Sequence, residues 1–247
     1  MGRRFFFVHL MKTAGTTFAL HLRAQFPADR IYPVEGLDWQ DPADLERYTD
    51  ASRALALSAE RRAQIDVYTG HFPYMVSQLI DPTLVVLTLL REPVARTISV
   101  LQHFQRLDDR YRDLDLAAIY DDDHVFRSFV FNHQTAFFAR TPLDGEQWIR
   151  DPIHIDDERF AVAKHNLANV DVLGVTEGYA SFFEELRTRF GWWPIRPNLD
   201  ERANVSAPPP DVGVELRQRI AHDNHYDIEL YQYACDLVGD RDRSPSS

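Results

Sequence analysis

Apolar runs alternate with amphipathic stretches along the chain, and that alternation sets the elements. Phe5-Phe6-Phe7-Val8-His9-Leu10 is a short aromatic-rich run without polar alternation, the pattern of a buried strand. A small polar stretch from Met11 to Thr17 follows. Then Phe18, Leu20-His21-Leu22 and Gln25-Phe26 read as a helix that stops near Pro27. Residues 42–66 carry two weaker helical patterns, with Ser58 as an N-cap before Ala59-Glu60. Val67-Tyr68-Thr69 reads as a brief strand closed by the turn Gly70-His71-Phe72-Pro73. Leu84 to Leu90 is the plainest buried parallel-type strand. Arg91-Glu92 follows it, and Pro93 stands at a first helical position, opening a helix past Ser99 to about Gln105.

Further on, residues 108–123 hold seven aspartates among short apolar pairs, a solvated loop and helix start. His124 to Arg140 and Asp157 to Asn169 read as helices, Val170 to Val175 as a strand, and Ser181 to Phe190 as a helix ended by Gly191. Pro208-Pro209-Pro210 precedes a last helix over roughly 213–238. Strands alternating with helices predict an α/β fold whose mainly parallel central sheet is flanked by helices on both faces. With no repeats and no long linker, 1–239 reads as a single domain. The charged, Ser/Pro-rich residues 240–247 read as a flexible C-terminal tail.

Composition narrows the function. Over 247 residues, 27 basic against 38 acidic side chains give a formal charge of −11, which argues against a long polyanionic partner such as nucleic acid or a heavily sulfated glycan. The single Cys235 excludes a disulfide framework and a cysteine zinc site, and suits a reducing compartment. No apolar run approaches the ~20 residues of a membrane span, and the first one is too short for a signal-peptide core. These features together predict a cytoplasmic protein with no membrane span. Of the basic residues only Lys12 and Lys164 are lysine, so a chain that otherwise writes arginine places a compact ammonium at these two positions.

Two stretches carry chemistry. Met11-Lys12-Thr13-Ala14-Gly15-Thr16-Thr17 lies between a strand and a helix. Gly15 permits close backbone approach, the helix N-terminus offers N–H groups, Lys12 adds a charge and the threonines add hydroxyls. It is not a Walker A loop, because Lys12 precedes the glycine. The plain alternative is a strand–turn–helix with a surface lysine. In the second stretch the strand 84–90 ends in Arg91, where a Mg²⁺-binding enzyme would place Asp. Arg91 sits at the strand's carboxyl end, and Arg96 and Ser99, three apart, share a helix face. That set suits a second phosphate rather than a metal; alternatively, Arg91 pairs with Glu92 or caps a helix.

Together the stretches resemble the nucleotide-binding signatures of sulfotransferases that use 3′-phosphoadenosine 5′-phosphosulfate (PAPS). Residues His9 to Thr17 resemble the 5′-phosphosulfate loop, and Arg91 to Ser99 the 3′-phosphate element. In style they are closest to carbohydrate-type enzymes, including the uronyl 2-O group and bacterial members. Gly70-His71-Phe72-Pro73-Tyr74, Asn132-His133-Gln134-Thr135, Gly174-Val175-Thr176-Glu177, Asn204-Val205-Ser206 and a last helix with Asp227 and Leu230-Tyr231 extend the resemblance over most of the chain. Met11 stands where that family usually has proline, and Ala14 where glycine is common. Thr69-Gly70-His71 matches only the second histidine of its His-Gly-His.

The resemblance implies a P-loop-like three-layer fold and sulfuryl transfer from PAPS, with no metal, to an acceptor hydroxyl on a saccharide, glycolipid or natural product. Lys12, Thr13, Ala14, Gly15, Thr16 and Thr17 would hold the 5′-phosphosulfate, with Lys12 on the leaving oxygen. Arg91 and Ser99 would hold the 3′-phosphate, and Arg96 would join them or brace its helix. His71 is the implied base, and Glu35 the second candidate. A P-loop-type nucleotide kinase and a nucleotide-binding relative without turnover are the competing readings. Of the remaining features, His222 and His225 read as helix-surface residues, and Asp121-Asp122-Asp123 as a helix-starting patch. Trp192-Trp193, Phe129, Phe131, Phe137 and Phe138 read as packing residues. Asn132 and Gln134 are candidates to reach acceptor or nucleotide.

Overall fold

The computed structural model describes residues 2–33, 48–144, 152–192 and 212–243; Glu35, Trp193 and Asn204-Val205-Ser206 lie outside them. Along the chain run β1 (Phe5–Val8), α1 (Gly15–Gln25), β2 (Ile31–Tyr32), α2 (Ala51–Leu55), α3 (Ala59–Gln64), β3 (Val67–Gly70), α4 (Tyr74–Ile80), β4 (Val85–Leu90), α5 (Pro93–Leu107), α6 (Leu116–Tyr120), α7 (His133–Ala139), α8 (Asp157–Ala168), β5 (Val172–Val175), α9 (Tyr179–Phe190), α10 (Val214–Asp223) and α11 (His225–Arg243). The five strands form one sheet in the order β2-β3-β1-β4-β5, parallel at every pairing. The edge strand β2 is absent from the sequence reading, because two residues are too short to show a period.

Side-chain alternation in β1 builds the two outer layers. Phe6 and Val8 face a core made with Tyr68, Val86, Phe137, Phe138, Leu167 and Leu230. Phe5 and Phe7 face the other side, with Phe18, Leu22, Leu87, Phe182, Leu186 and Trp192. Removing one such buried ring costs ~3–5 kcal/mol through lost transfer energy and the cavity left behind. A third cluster, around Ile98, Leu101, Tyr120, Val130 and Ile220, packs α5, α6 and α10 beside the sheet.

The caps explain several boundaries. Ser58 accepts from Arg61 N, as expected of an N-cap. Glu92 accepts from Val94 N and Ala95 N, fixing the start of α5. Asp122 accepts from Val125 N, so the acidic run does start a helical turn.

Two helices expected to be continuous are broken. The 124–140 segment passes through a π-helical stretch at Phe126–Val130, and Asn132 then takes φ 43° before α7 begins. The last helix divides at Asn224 into α10 and α11. The breaks hold each other: Asn132 N donates to Asn224 Oδ1 at 2.8 Å, and Asn224 Nδ2 donates to Ile220 O at 2.9 Å. These side-chain amides take over hydrogen bonds that the helical ladder would otherwise supply, and periodicity does not reveal the exchange. At the other end, α11 continues through Gly239 to Arg243 and takes in the first four residues of the span read as a tail, since extending a formed helix costs little.

Candidate active site

The strands β3, β1 and β4 occupy the middle of the sheet, and their carboxyl ends deliver His71, the 9–14 loop and Arg91 to one edge. Ligands bind at this edge of open parallel sheets. In the loop, Lys12 and Ala14 both take φ 65°, in the left-handed region. For a residue with a Cβ this costs ~1–2 kcal/mol, so the surroundings must hold it. Turns of this kind line up backbone N–H groups into an anion-binding concavity. Arg91 Nη1 donates to Lys12 O at 3.1 Å, and Arg96 Nε donates to Met11 O at 3.1 Å. Thr13 is fully buried and its hydroxyl donates to Leu10 O at 3.0 Å, so it shapes the loop. Thr16 and Thr17 lie in the first turn of α1.

Arg91 is itself held at the end of β4. Its N–H donates to Gln134 Oε1 at 3.0 Å, and Gln134 Nε2 donates to its carbonyl at 2.9 Å. Glu92 caps α5, so it is Lys12 O and not Glu92 that receives the Arg91 side chain. Gln134 and Asn132 are fully buried, with the Gln134 amide on the Arg91 backbone and the Asn132 amide on Asp223 O and Asp227 N. Arg96 is 0% exposed, and its Nε and Nη2 donate to Met11 O and Phe129 O, so it braces the loop. Ser99 is partly exposed on the same helix.

That helix supplies two residues the motif analysis passed over. Arg96, Ser99, His103 and Arg106 recur at i, i+3, i+7 and i+10, a spacing that keeps them on one face of α5. Burial together with the nearby Arg106 and Arg91 lowers the Lys12 ammonium. Burial, Lys12 and Arg106 push His103 down to about 4. Lys12 thus gathers with Arg91 and Arg106 into a cationic cluster.

His71 lies beside this cluster. Its Nδ1 is 2.7 Å from His9 O, and a carbonyl only accepts, so Nδ1 carries the proton and Nε2 the lone pair. Burial, with Arg96 and His103 nearby, holds His71 at about 4, so the imidazole is neutral near pH 7. The missing partner of the Thr69-Gly70-His71 sequence comes from the adjacent strand: the His9 ring lies 4.5 Å from that of His71, and its Nδ1 pairs with the Tyr48 hydroxyl at 2.5 Å. His9 stands at the head of the quoted loop motif, but only the β1–β3 pairing shows that it stacks on His71.

The same ring explains Gly15. A Cβ there would sit 1.5 Å from His9 Nε2, while Phe7, Tyr48 and His71 hold the ring in place. Gly15→Ala is therefore expected to lower the melting temperature by several degrees, an overpacking cost of ~1–3 kcal/mol. Anion affinity should fall with it, as thermal melts with and without ligand would show. Unchanged melting and binding would contradict the packing described here.

Acid stability offers a second check. His9, His71, His103 and His133 all sit below the ordinary histidine value, each chiefly through burial. As pH falls from about 6.5 toward 4, the unfolded chain takes up protons that the folded chain refuses, so stability is lost over that window. At pH 5 the His71 shift alone corresponds to about 2 kcal/mol. Urea midpoints at pH 7.5 and 5.0 should differ accordingly; equal midpoints would mean these rings are not buried neutral.

His222 and His225 are exposed, and Trp192, Phe137 and Phe138 are core residues, as the sequence suggested. Lys164, on α8, lies over the Phe160 ring of the same helix and the Tyr233 ring of α11.

Fold and site together define an α/β protein with a cationic loop at the carboxyl edge of a parallel sheet. The chain is 26% identical over 272 residues to heparan-sulfate 6-O-sulfotransferase 3-B of Danio rerio, a match that covers 94% of the chain. It is also 26% identical to heparan-sulfate 6-O-sulfotransferase 2 of Danio rerio and to heparan-sulfate 6-O-sulfotransferase 3 of Homo sapiens, over 94% and 95% of the chain. The matches span 62%, 57% and 57% of those relatives' lengths. No family model matches the chain. The relatives carry the 6-O designation, so they lend no support to the uronyl 2-O resemblance of the motifs.

Proposed function

We propose that this protein is a PAPS-dependent sulfotransferase that transfers a sulfuryl group to a saccharide hydroxyl. The observation that carries the reading is the meeting, at one sheet edge, of a cationic loop with a histidine whose Nδ1 carries the proton. The donor set fits the nucleotide: Lys12, the loop N–H groups and the first turn of α1 suit a 5′-phosphosulfate, and Arg91 with Ser99 suits a 3′-phosphate. PAPS supplies a sulfuryl group on a bridging phosphate oxygen when bound. His71 Nε2 takes the proton of the acceptor hydroxyl as that oxygen forms its bond to sulfur. The Lys12 ammonium stabilises the charge that gathers on the leaving phosphate oxygen. His9 O keeps the His71 proton on Nδ1, and Tyr48 keeps the His9 ring in place.

Lys12, Arg91 and Arg106 would offset much of the nucleotide's negative charge without a metal. The relatives' names make a saccharide 6-hydroxyl the first acceptor to try. The chain's charge of −11 favours short, weakly charged saccharides over long sulfated ones. The test is incubation with PAPS and a panel of neutral and singly charged oligosaccharides in EDTA, with sulfated product read by mass spectrometry. A product 80 Da heavier than its acceptor is expected. Nucleotide binding without transfer to any hydroxyl would favour the non-catalytic reading.

A further inference from the structure

Arg96 departs most from what its position in the sequence suggests. It belongs to the 3′-phosphate motif, yet it is completely buried beneath the other motif. Its Nε donates to Met11 O at 3.1 Å and its Nη2 to Phe129 O at 3.0 Å, while Nη1 is buried without a hydrogen-bond partner. Arg91 Nη1 takes the next carbonyl along, Lys12 O. Two successive loop carbonyls are thus each held by a guanidinium from the second motif. In a trans peptide the C=O and the following N–H point in opposite directions. Drawing the Met11 and Lys12 carbonyls toward the arginines therefore turns the N–H groups of Lys12 and Thr13 to the opposite side.

The charge this needs inside the protein is balanced from α11. Asp227 is buried, interacts electrostatically with Arg96, and accepts from Gln134 N, Thr135 N and the Thr135 hydroxyl at 3.1, 2.7 and 2.8 Å. Gln134, at the start of the same helix, pairs with the Arg91 backbone. One buried assembly therefore joins α11, α7 and α5 to the loop.

We infer that Arg96 is a positioning residue that sets the conformation of the 5′-phosphosulfate loop, and that it makes no contact with the 3′-phosphate. The inference rests on the nucleotide reading above, and a comparison of two ligands separates the two claims. 3′-Phosphoadenosine 5′-phosphate (PAP) carries both phosphates; AMP carries only the 5′-phosphate. Loss of a loop-setting residue weakens both equally, whereas loss of a 3′-phosphate ligand weakens only PAP.

The experiment is calorimetry of both ligands, without metal, on the full chain as wild type, Arg96→Lys, Ser99→Ala, and Arg96→Met combined with Asp227→Asn. Arg96→Lys keeps the buried charge but loses the fork. The double variant removes the charge pair together, so no lone charge is left to unfold the protein. Near-ultraviolet circular dichroism verifies the fold of each. The expected result is a roughly tenfold or greater loss for PAP and AMP alike in both Arg96 variants, with their ratio kept within about twofold, and a loss for PAP alone in Ser99→Ala. Faster amide exchange at Lys12 and Thr13 in Arg96→Lys, with β1 still protected, is the accompanying signature. A collapse of the PAP-to-AMP ratio in a folded Arg96 variant would overturn the inference, as would wild-type affinity for both ligands. If the wild type does not prefer PAP to AMP, the nucleotide reading fails instead, and the AMP arm still reports on the loop.

Discussion

Lys12→Ala is expected to lower the rate of sulfuryl transfer by roughly 10²–10³-fold or more, the cost of removing a pre-positioned charge from a developing oxyanion. The ammonium sits partly buried on a residue with φ 65°, and Arg91 holds its carbonyl, so the backbone aims the side chain before any ligand arrives. Lys12→Arg is expected to recover less than a tenth of the lost activity. The guanidinium is longer, planar and spreads its charge, whereas one bridging oxygen needs a compact donor. Single-turnover rates with saturating PAPS and acceptor give the comparison. An arginine variant as fast as wild type would remove the argument for lysine at this position.

His71→Ala is expected to cost roughly 10²–10⁴-fold in the transfer rate, the range for losing a positioned general base, while PAP binding stays within about threefold. The change also leaves His9 O without its 2.7 Å partner, at a cost of ~1–3 kcal/mol in stability. His71→Asn keeps a donor in the region and should recover stability but not rate. That separation of stability from turnover distinguishes a base from a structural residue. Turnover like wild type in either variant would contradict the assignment.

Much of the fold was legible because β1, β4 and β5 are short, almost wholly apolar runs and several helices have recognisable starts. Pro93 at a first helical position, Ser58 as a cap and Gly191 as a stop all stand at the boundaries found. What escaped was set by tertiary partners. Asn132 and Asn224 interrupt helices by hydrogen-bonding across 92 positions, and no local pattern encodes that pairing. The place of His71 at the carboxyl edge of the sheet was legible because it follows directly on a strand. His9 was not, because its role depends on which strand lies beside β1. Arg96 and Ser99 share a face, as their spacing indicates. Spacing does not tell that the turn bearing Arg96 runs beneath the loop while the next turns emerge beside it. The His103 and Arg106 positions continue that same face, and extending the period by two turns would have found them.

The central claim, a PAPS-type nucleotide at the β1–β4 edge, is tested most directly by calorimetry of PAP in EDTA against ADP and ATP with magnesium, on wild type and on Arg91→Ala. Metal-free binding of PAP should exceed ADP binding and fall at least tenfold in Arg91→Ala. Tighter binding of ADP or ATP with magnesium, unaffected by Arg91→Ala, would contradict it and favour a phosphotransferase.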